Sequence, residues 1–109
     1  MDSNANILSY SKFKLSVILA VKKIPKGRVS TYSEVAKEIG NDRSARAVGN
    51  VLANNYSHVA IPCHRVVNSD FTLGGYSGES DKRKILEDEG VLFRGKKIKH
   101  ECLFNFDRS

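Results

Sequence analysis

Residues 31–54 read TYSEVAKEIGNDRSARAVGNVLAN, and this stretch contains two helix signals in close succession. Thr31 with Glu34 three residues later matches a capping box, and the apolar spacing after it predicts a short helix over residues 32–39 that a glycine ends. After a brief polar turn, a second helix is predicted over residues 44–54. Two short helices joined by a turn that contains glycine are typical of a helix-turn-helix, although plain core packing in a small helical protein gives the same pattern.

The second of these helices has an outer face of unusually small side chains. Its predicted core stripe consists of Ala45, Val48, Val51 and Leu52. The opposite face carries Arg46, Gly49, Asn50 and Ala53. Because small residues allow close approach, a face of this kind could lie against a nucleic-acid backbone.

Further elements are predicted before and after this pair of helices. Apolar residues at helical spacing predict a first helix over residues 13–24, preceded by a flexible arm at residues 1–10. Short β-rich runs are predicted at residues 59–61 and 65–67. Cys63 stands between these two runs, so it is expected at a structural break.

The last third of the chain predicts a loop, a helix and a hairpin. Residues 73–78 are rich in glycine and predict a loop, and Asp81 is expected to cap a helix over residues 82–89. Residues 91–99 suggest a terminal hairpin or turn, and residues 100–109 are expected to form a flexible tail.

The composition predicts one small basic domain. The 109 residues can bury one modest core, so residues 1–109 are expected to form a single α+β, mainly helical domain. The 18 Lys and Arg residues exceed the 12 Asp and Glu residues and give a net charge of +6, which favours a polyanionic partner. Basic residues cluster at 22–28 and again at 94–99, and these clusters could flank a groove or could be two solvated loops.

Neither a membrane span nor a secretory signal is recognisable. The most apolar run, residues 15–21, is much shorter than the roughly 18 residues of a membrane span. An intracellular location is therefore expected, in the cytoplasm at the nucleoid of a prokaryote or in the nucleus of a eukaryote. Cys63 and Cys102 are then expected as thiols, with a disulfide between them as the lesser alternative. No metal is expected, because the adjacent pair Cys63 and His64 is too close for the usual zinc-ligand spacing.

The neighbourhood of Cys63 contains groups that can activate a thiol. His64 and Arg65 follow it directly, and an imidazole or a guanidinium can lower a thiol pKa or relay a proton. The alternative is a buried structural cysteine, because a Cys-His dipeptide is common and catalytic partners are usually distant in sequence.

Several separated motifs, in order, resemble the O6-alkylguanine-DNA alkyltransferases, also called methylated-DNA–protein-cysteine methyltransferases. The heptapeptide IPCHRVV at residues 61–67 is similar to the active-site signature of that family. The other matching segments are PKGRVSTY at 25–32, ARAVG at 45–49, Asn55, LGGY at 73–76 and Glu89-Gly90. The resemblance covers about residues 13–93 and implies an alkyltransferase-type fold with a winged-helix-like helix-turn-helix.

The resemblance implies a catalytic set. Cys63 corresponds to the residue that accepts the alkyl group, which requires a thiolate. His64 corresponds to the base that takes the thiol proton through a water, and Glu89 to the carboxylate that orients that imidazole. Asn55 corresponds to the asparagine that ties the turn before the active site to the recognition helix. Because nothing restores the thiol, each molecule would act once and need no cofactor.

The resemblance also implies a pocket for a flipped nucleotide in double-stranded DNA. The Tyr32 hydroxyl would donate to a ring nitrogen of guanine and the Ser77 N–H would face the oxygen, with Tyr76 and Gly78 as pocket wall. O6-alkylguanine is the expected substrate and O4-alkylthymine a second candidate.

The helix-turn-helix is expected to hold the duplex around that nucleotide. Arg46 would fill the gap left by the flipped nucleotide, and the small face at Gly49 suits a recognition helix in the minor groove. The expected DNA contacts are Arg46, Ala45, Gly49, Asn50 and Thr31. A monomer is expected, because a single lesion has no half-site symmetry.

Two rival functions remain open at this stage. Alkyltransferase-like proteins share the framework and bind alkylated DNA to flag it, but they replace the cysteine, commonly with tryptophan, whereas Cys63 is present. A helix-turn-helix transcription regulator would leave the Cys63 neighbourhood unexplained. The sequence also departs from the family pattern, because it has Tyr56 where proline is common, and a single-domain form without the N-terminal domain of most relatives is expected.

Overall fold

The computed structural model describes residues 3–53, 61–73 and 79–106, with side chains from residue 12 in the first range and from residue 82 in the last. Over these ranges the chain is mainly helical with short strands. Its helices are α1 (Ser3–Val21), α2 (Tyr32–Glu38), α3 (Ala45–Ala53) and α4 (Glu79–Asp88), with 3-10 turns η1 (Cys63–Arg65) and η2 (His100–Cys102). Its strands are β1 (Ser30–Thr31), β2 (Val66–Val67), β3 (Phe93–Arg94) and β4 (Lys97–Ile98).

Helices α2 and α3 form the predicted helix-turn-helix. The Thr31 hydroxyl accepts the Glu34 N–H at 3.1 Å and caps α2. After α2, Gly40 adopts a φ of 81°, a left-handed conformation that favours glycine and turns the chain toward α3. Both helices pack on α1, where Val17, Val35 and Val48 belong to one buried apolar cluster. The sequence prediction of this pair is confirmed.

A parallel pairing between β1 and β2 separates two apolar cores. Ser30 pairs with Val66 and Thr31 with Val67. Since side chains alternate along a strand, Val66 contributes to the core of α1, α2 and α3, and Val67 contributes to a second core that includes Leu86 of α4. The sequence did not predict β1, yet this pairing brings the start of α2 beside the segment that follows Cys63.

The helices at both ends of the chain are longer than predicted. α1 begins at Ser3, within the expected arm, because residues 3–12 contain no proline or glycine to stop a helix. α4 begins at Glu79, so Asp81 lies inside the helix and is not its cap. Although α1 is long, none of the described helices is apolar enough to cross a membrane.

The structure corrects the expectation of a flexible tail over residues 100–106. Val29 forms a parallel bridge with Leu103, in which the Val29 N–H donates to the Cys102 carbonyl at 2.9 Å and the Phe104 N–H to the Val29 carbonyl at 2.7 Å. Phe106 is 1% exposed and packs in the α1–α2–α3 core. Isolated aromatic residues near a chain end show no periodicity, so their burial was not visible in the sequence pattern.

Replacement of Phe106 by alanine tests this packing. Removal of a buried phenylalanine ring leaves a cavity, so Phe106→Ala is expected to lower the free energy of unfolding by about 3–5 kcal/mol in urea denaturation. Leu92→Ala is the control, since Leu92 is 47% exposed in the same C-terminal segment and its truncation should cost less than about 0.5 kcal/mol. Equal effects of the two substitutions would show that the C-terminal segment is not packed in solution.

Candidate active site

Cys63, His64 and Arg65 project in different directions because they form a single 3-10 turn. The turn is closed by the Arg65 N–H, which donates to the Pro62 carbonyl at 3.0 Å, and it leads directly into β2. With three residues per turn, consecutive side chains point about 120° apart. Cys63 is therefore half-buried while His64, its neighbour, is buried.

The His64 ring is held by a carboxylate 25 residues further along the chain. His64 is 7% exposed, and its Nε2 lies 3.0 Å from Oε2 of Glu89, the residue that follows α4. An ionised carboxylate only accepts hydrogen bonds, so Nε2 is assigned the proton. The lone pair of the neutral imidazole is then at Nδ1, which makes Nδ1 the basic atom of the ring.

Arg65 fixes the carboxylate that holds His64. Its Nε and Nη2 donate to the two carboxylate oxygens of Glu89 at 2.9 and 2.8 Å, and its Nη1 donates to the Ile24 carbonyl at 2.8 Å. A two-point contact of this kind sets both the position and the plane of a carboxylate. From the sequence, Arg65 is expected only as a cation near the thiol, and its adjacency to Cys63 and His64 is the signal for its involvement.

The charges of this cluster favour a negative Glu89. The Arg65 hydrogen bonds lower the pKa of Glu89 below its ordinary value, burial opposes this, and His64 lowers it further. A carboxylate that is ionised at neutral pH stabilises a positive charge on His64. The cluster can therefore accept a proton at His64 and hold the resulting imidazolium.

Tyr32 and the exposed face of α3 lie on the helix-turn-helix beside this cluster. Tyr32 is half-buried, and a Cβ at Gly49 would lie 3.7 Å from its ring, an ordinary contact distance. Arg46 and Asn50 are exposed, and Ala45 is half-buried. The α3 face thus stands next to Tyr32.

Thr31 does not fit its predicted role in contacting DNA. Its side chain is 4% exposed, and its hydroxyl is occupied in capping α2. The capping box in the sequence predicted Thr31 at the start of α2, and in the structure Thr31 is the buried N-cap of that helix.

The remaining predicted site residues lie outside the described residues. Asn55, Tyr76, Ser77 and Gly78 belong to this group, so their roles stay predictions. Within the described ranges, no three His, Cys, Asp or Glu side chains are placed to hold a metal ion.

Neither cysteine is in a disulfide, as expected from the sequence. Cys102 is buried, and its Sγ accepts the Leu92 N–H at 3.3 Å in the second core. Its position there is explained by packing.

Taken together, the fold and the cluster define a helix-turn-helix protein with a cysteine beside a histidine–glutamate pair. Comparison with known families matches residues 12–91 to the 6-O-methylguanine DNA methyltransferase, DNA binding domain. The chain belongs to this family.

Named relatives are similar over most of this chain and about half of their own length. The methylated-DNA–protein-cysteine methyltransferase of Methanosarcina acetivorans is 48% identical over 83 residues, which are 73% of this chain and 52% of the relative. That of Saccharolobus solfataricus is 47% identical over 79% of this chain and 55% of the relative. The chain thus spans about half the length of these curated relatives.

Two solved structures resemble the fold. S. pombe Atl1, solved in complex with damaged DNA containing O6-carboxymethylguanine, is 33% identical with a TM-score of 0.78, and the match covers 87% of this chain and 96% of that one. The O6-methylguanine methyltransferase of Mycobacterium tuberculosis is 39% identical with a TM-score of 0.65, over 72% of this chain and 48% of that one.

Acidification tests the ionised state of Glu89. A carboxyl whose pKa is lowered by folding adds stability above its unfolded pKa, near 4.5, and loses that contribution as the pH falls through the folded pKa. The free energy of unfolding should therefore decrease as the pH drops below about 4.5, and Glu89→Gln should show a smaller decrease in urea titrations at several pH values. Glu87→Gln, which changes an exposed carboxyl at the end of the same helix, should follow the wild type. A Glu89→Gln variant with the wild-type pH profile would contradict the assignment.

Removal of the Arg65 guanidinium should destabilise the fold. Arg65→Ala leaves the Glu89 carboxylate and the Ile24 carbonyl without their partner, and we expect a loss of about 3 kcal/mol in the free energy of unfolding. The matched control is Lys23→Ala, which breaks the exposed Lys23–Glu38 ion pair and should cost about 0–1 kcal/mol. A loss for Arg65→Ala as small as that of the control would mean that the cluster does not hold the fold together.

Proposed function

We propose that this protein repairs DNA by moving the alkyl group of O6-alkylguanine onto Cys63, once per molecule. The observation that carries the proposal is the 3.0 Å contact between His64 and Glu89 directly beside Cys63, on a helix-turn-helix scaffold. Membership of the family and the names of the relatives support it. The site of action would be the compartment that contains the genome.

The chemistry follows from the three side chains. His64 takes the proton of the Cys63 thiol, and the imidazolium is stabilised by Glu89. The thiolate sulfur then bonds to the alkyl carbon while the bond from that carbon to O6 breaks, and the electron pair leaves with the guanine. By family resemblance, Tyr32 supplies a hydrogen bond to the purine as negative charge develops. The product is a thioether, which is chemically stable, so the protein is consumed.

DNA is proposed to lie along α3. Arg46 and Asn50 are exposed there, and Ala45 and Gly49 keep the face small. The alkyl group of a paired guanine is not accessible inside the stack, so the nucleotide must be flipped, with Arg46 in the gap. Asn55, Tyr76, Ser77 and Gly78 are proposed to complete the site as the family resemblance implies. A single lesion needs only one copy of the chain, so we propose a monomer.

A second function is favoured by one observation. The match to S. pombe Atl1 covers 96% of that chain, whereas the match to the M. tuberculosis methyltransferase covers 48%. A protein of the alkyltransferase-like class would bind alkylated DNA without transfer. Cys63 beside the His64–Glu89 pair supports transfer, because a binding protein has no need of a base next to a thiol.

Intact mass separates the two functions. After incubation with an excess of duplex containing one O6-methylguanine, the protein is expected to gain one methyl group, located on Cys63 by peptide mapping. Cys63→Ala should gain none and still bind the lesion duplex, whereas Cys102→Ala should react like the wild type, because Cys102 is buried in the second core. Tight binding with an unchanged mass of the wild type would overturn transfer in favour of lesion flagging.

A further inference from the structure

The β3–β4 hairpin carries a basic tip that the proposed site does not use. Arg94, Lys96 and Lys97 are exposed around Gly95, and the hairpin lies beyond residues 12–91, the range of the family match. Phe93 pairs with Ile98 and Arg94 with Lys97 in an antiparallel register. One cation on the two-residue turn and one on the adjoining residue of each strand place three positive charges within four residues.

The tip is held in place by contacts on both sides. On one side the Arg83 guanidinium of α4 lies 4.3 Å from the centroid of the Phe93 ring and donates to the Gly95 carbonyl at 3.0 Å. On the other side the Ile98 N–H donates to the Phe71 carbonyl at 2.9 Å, and the Ile98 side chain is buried. A ligand that contacts the tip therefore binds basic side chains on a backbone that is already ordered.

The hairpin continues a surface that begins at the helix-turn-helix. Ser33, the second residue of α2, hydrogen-bonds through its hydroxyl to that of Ser69 at 2.8 Å. Ser69 belongs to a turn closed by the Asn68 N–H to the Thr72 carbonyl, and the next residues of this turn contact β4 through Phe71. The order across the surface is thus α2, the 68–72 turn and the hairpin tip.

Few acidic groups offset the charge of the tip. The Thr72 hydroxyl at 2.6 Å and the Thr72 N–H at 3.1 Å donate to the Asp70 carboxylate and lower its pKa, and Lys97 lowers it further, so Asp70 stays ionised and offsets one of the three positive charges. Within the described residues, Arg94 and Lys96 make no ion pair. The tip therefore keeps a net positive charge on the surface that continues from α2 through the 68–72 turn.

We infer that the β3–β4 hairpin is a wing that contacts the phosphate backbone of the same duplex, outside the base pairs held by α3. The inference rests on the proposed function, because DNA on the α3 face is what brings a duplex to this edge. Arg94, Lys96 and Lys97 contact phosphates without reading sequence, which suits a protein that must find lesions in any context.

The test is the salt dependence of binding to duplexes of two lengths, in the Cys63→Ala background so that transfer does not occur. The short duplex has about one helical turn around O6-methylguanine and the long one about 25 base pairs, and each cation–phosphate contact adds about 0.9 to the slope of log K against log salt. The variant R94Q/K96Q/K97Q should lower that slope by about 2 to 3 on the long duplex and leave it nearly unchanged on the short one.

A matched control removes three charges elsewhere. K12Q/K22Q/K26Q changes the net charge equally, using exposed lysines of α1 and the turn after it, and should change the slope less than the hairpin variant. Equal slope changes in the two variants would show an effect of net charge alone, and no change in the hairpin variant would also overturn the wing.

Failure of the wing and failure of the proposed function are distinguishable. Methyl transfer by the wild-type chain, with Cys63 present, tests the proposed function separately from the wing. Absence of methyl transfer in the wild type would overturn the repair function while the length-dependent slope still reports on the wing.

Discussion

The carboxylate of Glu89 is the point at which three parts of the chain meet. It accepts hydrogen bonds from Arg65 and His64 of the 3-10 turn, it stands at the end of α4, and through Arg65 it is tied to the Ile24 carbonyl after α1. A buried cation and a buried anion are each costly alone, so their mutual pairing holds these segments in one arrangement. The Glu89 contact that joins these segments therefore also orients His64, the proposed base.

The second constraint is the short parallel pairing of β1 with β2. It joins the residue before Tyr32 to the residues after the Cys63 turn, and therefore sets how far the helix-turn-helix stands from the thiol. Two residue pairs alone would be weak. The pairing persists because Val66 and Val67 are buried in separate cores on its two sides.

The helix-turn-helix could be predicted because its signals are local: a capping box, a stop glycine and an apolar stripe of helical period. The partnership of His64 with Glu89 came from family resemblance, since residues that distant show no spacing rule. The hydrogen bonds of Arg65 and the strand β1 were not predicted, because both depend on partners distant in sequence. Arg65 contacts Ile24 and Glu89, and Ser30 of β1 pairs with Val66. The burial of Phe106 was missed for the same reason, because a single aromatic residue has no pattern until the core that receives it is known.

Cys102 gives the molecule a second thiol of very different accessibility. Its sulfur lies in the second core and accepts a backbone hydrogen bond, whereas the thiol at residue 63 is half-buried at the end of a turn. An aqueous thiol reagent therefore titrates the native chain as one equivalent and the denatured chain as two. The difference between the two counts serves as an internal gauge of how much of a DNA-free preparation is folded.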